Sequence, residues 1–272
     1  MYFSLFPLYA DGSGGKLCNC GEAKGFQGQF NRIAGGEKVE EGKYPWIVQM
    51  QTGSDGPSGH TWYCTGALLD PTHVLTAAHC IVSSKFGKTP GQHSDGKIFV
   101  LQGTSSVKKN GYVHEAHILS NVSDYVLHPT WETHDMLGSD VAVLTLTSPV
   151  QYSDKVKPIC LPSNPGQNYV GKVAVTSGFG LDKYFNPTYD LMETNVSVIS
   201  EEDCFKNIND EVTVSAAKWN MSISEEDVRK SLKTKICTKG SPINNNPDWT
   251  TGTREGDSGS SLNFEEHQRF QM

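Results

Sequence analysis

The sequence predicts an all-β protein built on antiparallel barrels. Two observations point there. Short segments rich in β-branched and aromatic residues recur at close intervals, each bounded by Gly, Pro, Ser or Asn. The chain also carries 27 glycines and 13 prolines in 272 residues, which suits many short strands joined by turns and not a helical bundle. The length admits one large β unit or two small domains.

The elements follow in order. Met1–Ala10 is apolar enough for the core of a short signal peptide but has no basic start. Residues 11–32 are glycine-rich and polar and read as a pro-segment. The first set of strand-like segments is Trp46–Met50, Thr61–Leu69, His73–Thr76, Ile98–Leu101, Tyr125–Leu127 and Val141–Leu146. Ser148–Pro165 is proline-rich and polar, as a connector would be. A second set follows at Lys172–Thr176, Leu191–Ile199 and Lys235–Thr238. Ser200-Glu201-Glu202-Asp203 and Ser222–Asp227 read as helix N-termini, with hydroxyl caps and acids in the first turn. No internal repeat is visible. The five tryptophans, Trp46, Trp62, Trp131, Trp219 and Trp249, are expected in the core or at its rim.

Charge and cysteines narrow the class. A net charge of −7 argues against nucleic-acid binding, which needs clustered Lys and Arg. No apolar run reaches the ~18 residues needed to span a bilayer. The seven cysteines are Cys18, Cys20, Cys64, Cys80, Cys160, Cys204 and Cys237. Cys18-Asn19-Cys20 lacks zinc-finger spacing and the rest are scattered singly, so disulfides are expected, and with them an oxidising, extracellular compartment. Asn-x-Ser sequons at Asn121, Asn195 and Asn220 agree with secretion and are candidate glycosylation sites. His114-Glu115-Ala116-His117 is one residue short of the zinc-protease spacing and reads as solvated strand residues, so neither a metal nor another cofactor is expected.

Three stretches carry chemistry. Thr253-Arg254-Glu255-Gly256-Asp257-Ser258-Gly259-Ser260 puts a serine on a tight glycine turn, where the amides of Gly256 and Ser258 could both face a developing oxyanion. Leu75-Thr76-Ala77-Ala78-His79-Cys80 offers a base, since an imidazole titrates near neutral pH. Gly138-Ser139-Asp140-Val141-Ala142 sets a carboxylate at the head of an apolar run, where it could orient that imidazole. An isolated Gly-Asp-Ser-Gly is an ordinary surface turn about as often as a site. The order His79, Asp140, Ser258 is what raises it above one.

In these motifs the chain resembles the chymotrypsin-like (trypsin-like) serine proteases, which carry Thr-Ala-Ala-His-Cys, Asp-Ile-Ala-Leu and Gly-Asp-Ser-Gly in this order. The resemblance runs from about Arg32 to Leu262. It implies two antiparallel six-stranded β-barrels and a domain division into a leader and pro-segment at 1–32 and a protease domain at 33–272. It implies hydrolysis of peptide bonds with His79, Asp140 and Ser258 as the triad. The Gly256 and Ser258 amides would form the oxyanion hole. Arg32-Ile33-Ala34-Gly35-Gly36 looks like the family's activation junction: cleavage after Arg32 would free an ammonium on Ile33 to pair with Asp257, and a buried carboxylate needs such a partner. The family further implies bonds between Cys64 and Cys80 and between Cys204 and Cys237, and a tether from Cys160 to Cys18 or Cys20. The Cys64–Cys80 link closes a loop of ~15 residues, worth ~3 kcal/mol. The segment between Cys204 and Cys237 is longer than usual for the family and reads as a surface insertion.

The sequence departs from the family in two places. Six residues before the serine stands Gly252, where trypsin-like members have an acid, so nothing at the pocket floor selects Lys or Arg. Arg254 stands where a pocket cysteine is usual. Past Ser258 only Gly259 to Met272 follow, and Asn263–Phe270 does not read as the strands the family continues with. The second barrel is therefore expected to be incomplete, with open edges, and the chain as it stands to have little or no activity. The leading expectation is a secreted serine endopeptidase made as a zymogen. Its partners would be protein or peptide substrates, an activating protease and protease inhibitors. A protease homologue that binds or regulates without turnover is the alternative. A structural β domain with chance motifs is disfavoured by three motifs in order.

Overall fold

The computed structural model describes residues 20–22, 36–52, 62–82, 98–106, 118–131, 139–162, 164, 166–181, 188–208, 222–233, 235–243, 246–250, 252–253, 256–266 and 269–271. Arg32, Ile33, Asn220 and His114–His117 lie outside them, so the activation junction, one sequon and the near-zinc motif are not part of the structural description.

The strands are β1 (Glu37–Lys38), β2 (Ile47–Thr52), β3 (Trp62–Leu68), β4 (His73–Thr76), β5 (Ile98–Gln102), β6 (Ile118–Leu127), β7 (Ala142–Leu146), β8 (Val173–Gly178), β9 (Met192–Val198), β10 (Thr238–Gly240), β11 (Pro242–Ile243), β12 (Asn246–Thr250), β13 (Leu262–Glu266) and β14 (Arg269–Gln271). β2 to β7 close into an antiparallel barrel in the order β2-β3-β4-β7-β6-β5. Alternation drives closure. In β7, Ala142, Leu144 and Leu146 point inward and are buried while Val143 and Thr145 are half-buried. Val48, Met50, Ala67, Leu68, Val74 and Val100 meet them, and Trp46 beneath β2 is fully buried. Asp70 shapes the β3–β4 turn, its carboxylate accepting from the amides of Thr72 at 2.7 Å and His73 at 2.9 Å. β6 is longer than its expected Tyr125–Leu127 core, and a bulge between Val122 and Asp124 turns its first half.

The second half is an antiparallel sheet in the order β1-β9-β8-β13-β14, with β10 also on β9. Among the described residues it does not close. β13 corrects the expectation for Asn263–Phe270: this stretch extends the sheet, Leu262 opposite Thr176 and Asn263 opposite Val175, and returns through β14. Phe264 stacks on Tyr169 with ring centroids 4.2 Å apart, and the amide of buried Asn263 donates to the Val175 carbonyl at 3.2 Å.

Two helices close over a satellite core of Cys204, Phe205, Val228 and Leu232. α1 runs through 201–208, its first turn capped by Ser200 Oγ accepting from Asp203 N at 3.1 Å. α2 is Glu225–Leu232. Its cap is Ser224, two residues past Ser222, in a reciprocal box with Asp227. All described cysteines are bonded, as Cys64–Cys80, Cys204–Cys237 and Cys20–Cys160. The last selects Cys20 over Cys18 as the partner of Cys160.

Candidate active site

His79 sits on a single 3-10 turn, Ala78–Cys80, directly after β4. Ala78 and Cys80 are buried on either side, so the turn pushes the imidazole outward and His79 is exposed. Cys80 is pinned to Cys64 in β3. Asp140 lies just before β7, and β7 pairs with β4 so that Ala142 faces Thr76. That register carries Asp140 to His79. The carboxylate accepts the His79 backbone amide at 2.9 Å and meets ring Nδ1 at 2.5 Å. Burial pushes the Asp140 carboxyl up, but the hydrogen bond and charge of His79, with the amides of His79 and Ala78, outweigh it and hold the group below its ordinary 3.8. An ionised carboxylate on Nδ1 favours the tautomer that leaves Nε2 free to accept a proton.

Ser258 lies in the turn between β12 and β13. Gly256 and Gly259 flank it at φ 92° and 83°, backbone that an L side chain rarely adopts. Gly259 has a second reason to be glycine, since a Cβ there would collide with Thr76 Oγ1 and the Thr65 carbonyl. The Ser258 carbonyl accepts from Thr65 N at 2.8 Å and lies 3.6 Å from Cys80 Sγ. That sulfur is 3.9 Å from His79 Nε2. The Ser258 turn thus packs on the disulfide that fixes His79. Cys64, His79 and Cys80 also cluster like metal ligands, but both sulfurs are spent on each other and offer no thiolate.

Asp257 was expected to be buried and is half-buried. Its Oδ1 accepts from Gly180 N at 2.8 Å. The carboxylate fills the space that side chains at Gly178 and Gly180 would need, so Gly178-Phe179-Gly180 forms its cradle. The sequence reading passed over this pair of glycines at the end of β8, although glycine at a strand end signals a close approach. It also passed over Thr65, which no motif marks. Gly252 is exposed. Asn121 is exposed on β6, whereas Asn195 lies in the middle of β9 opposite Val175 and is half-buried.

Comparison with known proteins completes the site. The Trypsin family model matches residues 33–269. The chain is 26% identical over 239 residues to mouse (Mus musculus) ovochymase-2, an alignment covering 86% of this chain and 32% of that protein. It is 27% identical over 205 residues to the clotting factor G beta subunit of Tachypleus tridentatus, covering 74% of this chain and 60% of that one. Kallikrein 1-related peptidase b27 of Mus musculus matches at 29% over 192 residues, 67% of this chain and 66% of its own. The chain therefore spans about a third of ovochymase-2 and three-fifths of the clotting factor subunit. With a closed six-stranded antiparallel barrel, a second antiparallel sheet and a match over 33–269, the chain belongs to the trypsin-like serine protease family.

Proposed function

We propose that this chain is a secreted serine endopeptidase made as a zymogen. The observation that carries the reading is the His79–Asp140 pair, 2.5 Å from ring nitrogen to carboxylate, beside a strained glycine turn bearing Ser258. In this reading Ser258 Oγ attacks the peptide carbonyl and His79 Nε2 takes its proton. His79 then returns the proton to the leaving amine, and water repeats the sequence to release the acyl group. Asp140 holds the tautomer and stabilises the imidazolium. The amides of Gly256 and Ser258 hold the oxyanion. Cleavage after Arg32 frees Ile33 to pair with Asp257, whose Oδ1 already accepts from Gly180 N. Three disulfides support an oxidising compartment, and the exposed Asn121 is the best placed of the sequons for a glycan. With Gly252 in place of an acid, the preference is for apolar or mixed side chains at the cleaved site, and not for Lys or Arg alone.

The test uses the full-length gene product, secreted from eukaryotic cells and treated with a trypsin-like activator. A serine-directed fluorophosphonate should label it only after cleavage at Arg32, with turnover of a peptide library appearing in step. Ser258→Ala should abolish labelling and leave only the ~10³–10⁴ acceleration over water that survives loss of a triad member. Arg32→Gln should stay silent. A cleaved wild-type protein that neither labels nor turns over peptide would be a binding homologue, and strict Lys/Arg cleavage would overturn the pocket reading.

A further inference from the structure

We propose that Thr65 is a positioning residue that holds the oxyanion turn through its side-chain hydroxyl; the proposal rests on the endopeptidase reading above. Thr65 lies in β3, next to Cys64, and is fully buried. A buried hydroxyl needs partners, and the partners here are two separate backbone segments. The hydroxyl donates to the Gly256 carbonyl at 3.1 Å and accepts from the Phe179 amide at 3.4 Å. The backbone N–H of the same residue donates to the Ser258 carbonyl at 2.8 Å, and its own carbonyl accepts from Thr76 Oγ1 at 2.9 Å.

One residue of the first barrel therefore grips both ends of the Gly256–Asp257–Ser258 turn. The two grips differ in what they need. The hold on Ser258 is main chain to main chain and needs no side chain, so every residue but proline can make it. The hold on Gly256 exists only because residue 65 carries a hydroxyl. Gly256 is also the softest point of the turn, a glycine at φ 92° with no side chain to resist rotation. Its neighbour Asp257 is held on the other side, by the Gly180 amide next to the Phe179 amide that Thr65 accepts. The hydroxyl thus ties together the nucleophile turn, the Asp257 cradle and the strand bonded through Cys64–Cys80 to the histidine turn. An oxyanion donor must be in place before charge develops, so slack at Gly256 weakens the transition state more than substrate binding.

The experiment compares wild type, Thr65→Val and Thr65→Ser, each cleaved after Arg32. Thr65→Val should lower kcat about 10-fold or more with KM nearly unchanged, and weaken a peptide boronate, which mimics the tetrahedral oxyanion, by the same factor. Thr65→Ser, which keeps the hydroxyl, should recover most of both. Amide exchange read by mass spectrometry should quicken across 256–260 in Thr65→Val and not in Thr65→Ser. A merely structural role for the threonine would lower thermal stability and active fraction without a matched loss of kcat and boronate affinity. Thr65→Val with wild-type kcat, or Thr65→Ser as impaired as Thr65→Val, would overturn the proposal. If Thr65→Val does not accumulate, Thr65→Ala replaces it with the same expectations. If wild type itself shows no turnover, the endopeptidase reading fails, and exchange decides alone: faster exchange at 256–260 only without the hydroxyl upholds the tether, and equal exchange overturns it.

Discussion

Asp140 keeps 36% of its side chain open to solvent, and His79 keeps 46%. An ion pair so exposed adds little to stability by itself. Its weight is in orientation: the carboxylate takes the His79 amide with one oxygen and the ring with the other, so the imidazole has one seat. Asp140→Asn would keep the shape and lose the charge. Its amide can present a donor to Nδ1 and so stabilise the wrong tautomer. We expect kcat to fall by about 10⁴, the size of the effect when the orienting carboxylate of such a triad becomes an amide, with KM little changed. A pH–stability comparison gives a second readout. The Asp140 carboxyl lies below 3.8 in the fold and near 3.8 once unfolded. Its contribution is therefore present above about pH 4 and drains away as pH falls through the lower, folded value. The melting temperature of Asp140→Asn should fall less steeply with acid than that of wild type, and parallel curves would contradict the assignment. Asp70, whose carboxyl is also held low once burial is outweighed by the Thr72 and His73 contacts, contributes to the remaining acid limb in both proteins along with the likewise lowered Asp190, Glu202 and Asp227.

At the scale of elements, the helix pair is the clearest case of local sequence making local structure. Ser224 accepts from Asp227 N, and the Asp227 carboxylate returns to the Ser224 amide at 3.0 Å. Glu225, Glu226 and Asp227 meet the positive end of the helix, and Arg229 and Lys230 lie towards its other end. Arg229 then bridges to α1, 2.8 Å from Glu202 Oε2 and 3.6 Å above the Phe205 ring. Ser224→Ala removes one cap from an exposed end and should cost about 1 kcal/mol, seen as a lower urea midpoint at unchanged slope. An unchanged midpoint would mean that α2 is held by the Cys204–Cys237 bond and its core alone. This kind of element was legible in the sequence because cap, acids and apolar face lie within ten residues of each other. So were the strands of the first barrel, whose alternation has a period of two. His79 and Asp140, whose side chains meet in the structure, stood out through their motifs and order and not through alternation. β13 was not legible. Its anchors, Phe264 on Tyr169 and Asn263 on Val175, are contacts about ninety residues away in the chain, which no local pattern announces. Thr65 was invisible for an even longer separation, its position and that of Gly256 being 191 apart in the chain.

Across the whole molecule, the described residues on either side of the proposed Arg32–Ile33 junction are fastened independently. Upstream, Cys20 is bonded to Cys160, Gly21 N donates to the Pro158 carbonyl at 2.8 Å, and Glu22 pairs with Lys157 at 3.0 Å. Downstream, β1 pairs with β9, and Glu193 of β9 accepts from Lys43 and from the Tyr44 hydroxyl, both at 2.5 Å. Tyr44 is buried, and burial first, then the Glu193 charge and hydrogen bond, push its hydroxyl far above the ordinary 10.0. The hydroxyl therefore remains a neutral donor to Glu193 beyond the ordinary tyrosine range. In the proposed zymogen, a cut after Arg32 would leave the described residues on both sides fastened. Among the described residues, the noncovalent holds on the upstream side are a half-buried ion pair and one backbone hydrogen bond, little beside a covalent link. The disulfide alone should decide retention. After activation the protein should gain the mass of one water under non-reducing conditions and remain one species. With a reductant it should release a peptide ending at Arg32. Cys160→Ser should release that peptide on cleavage alone, while the two-chain form of wild type keeps it through gel filtration. Loss of the peptide from unreduced wild type would show that Cys20 is not bonded to Cys160 in the secreted protein, and retention by Cys160→Ser would show that the contacts of Gly21 and Glu22 suffice.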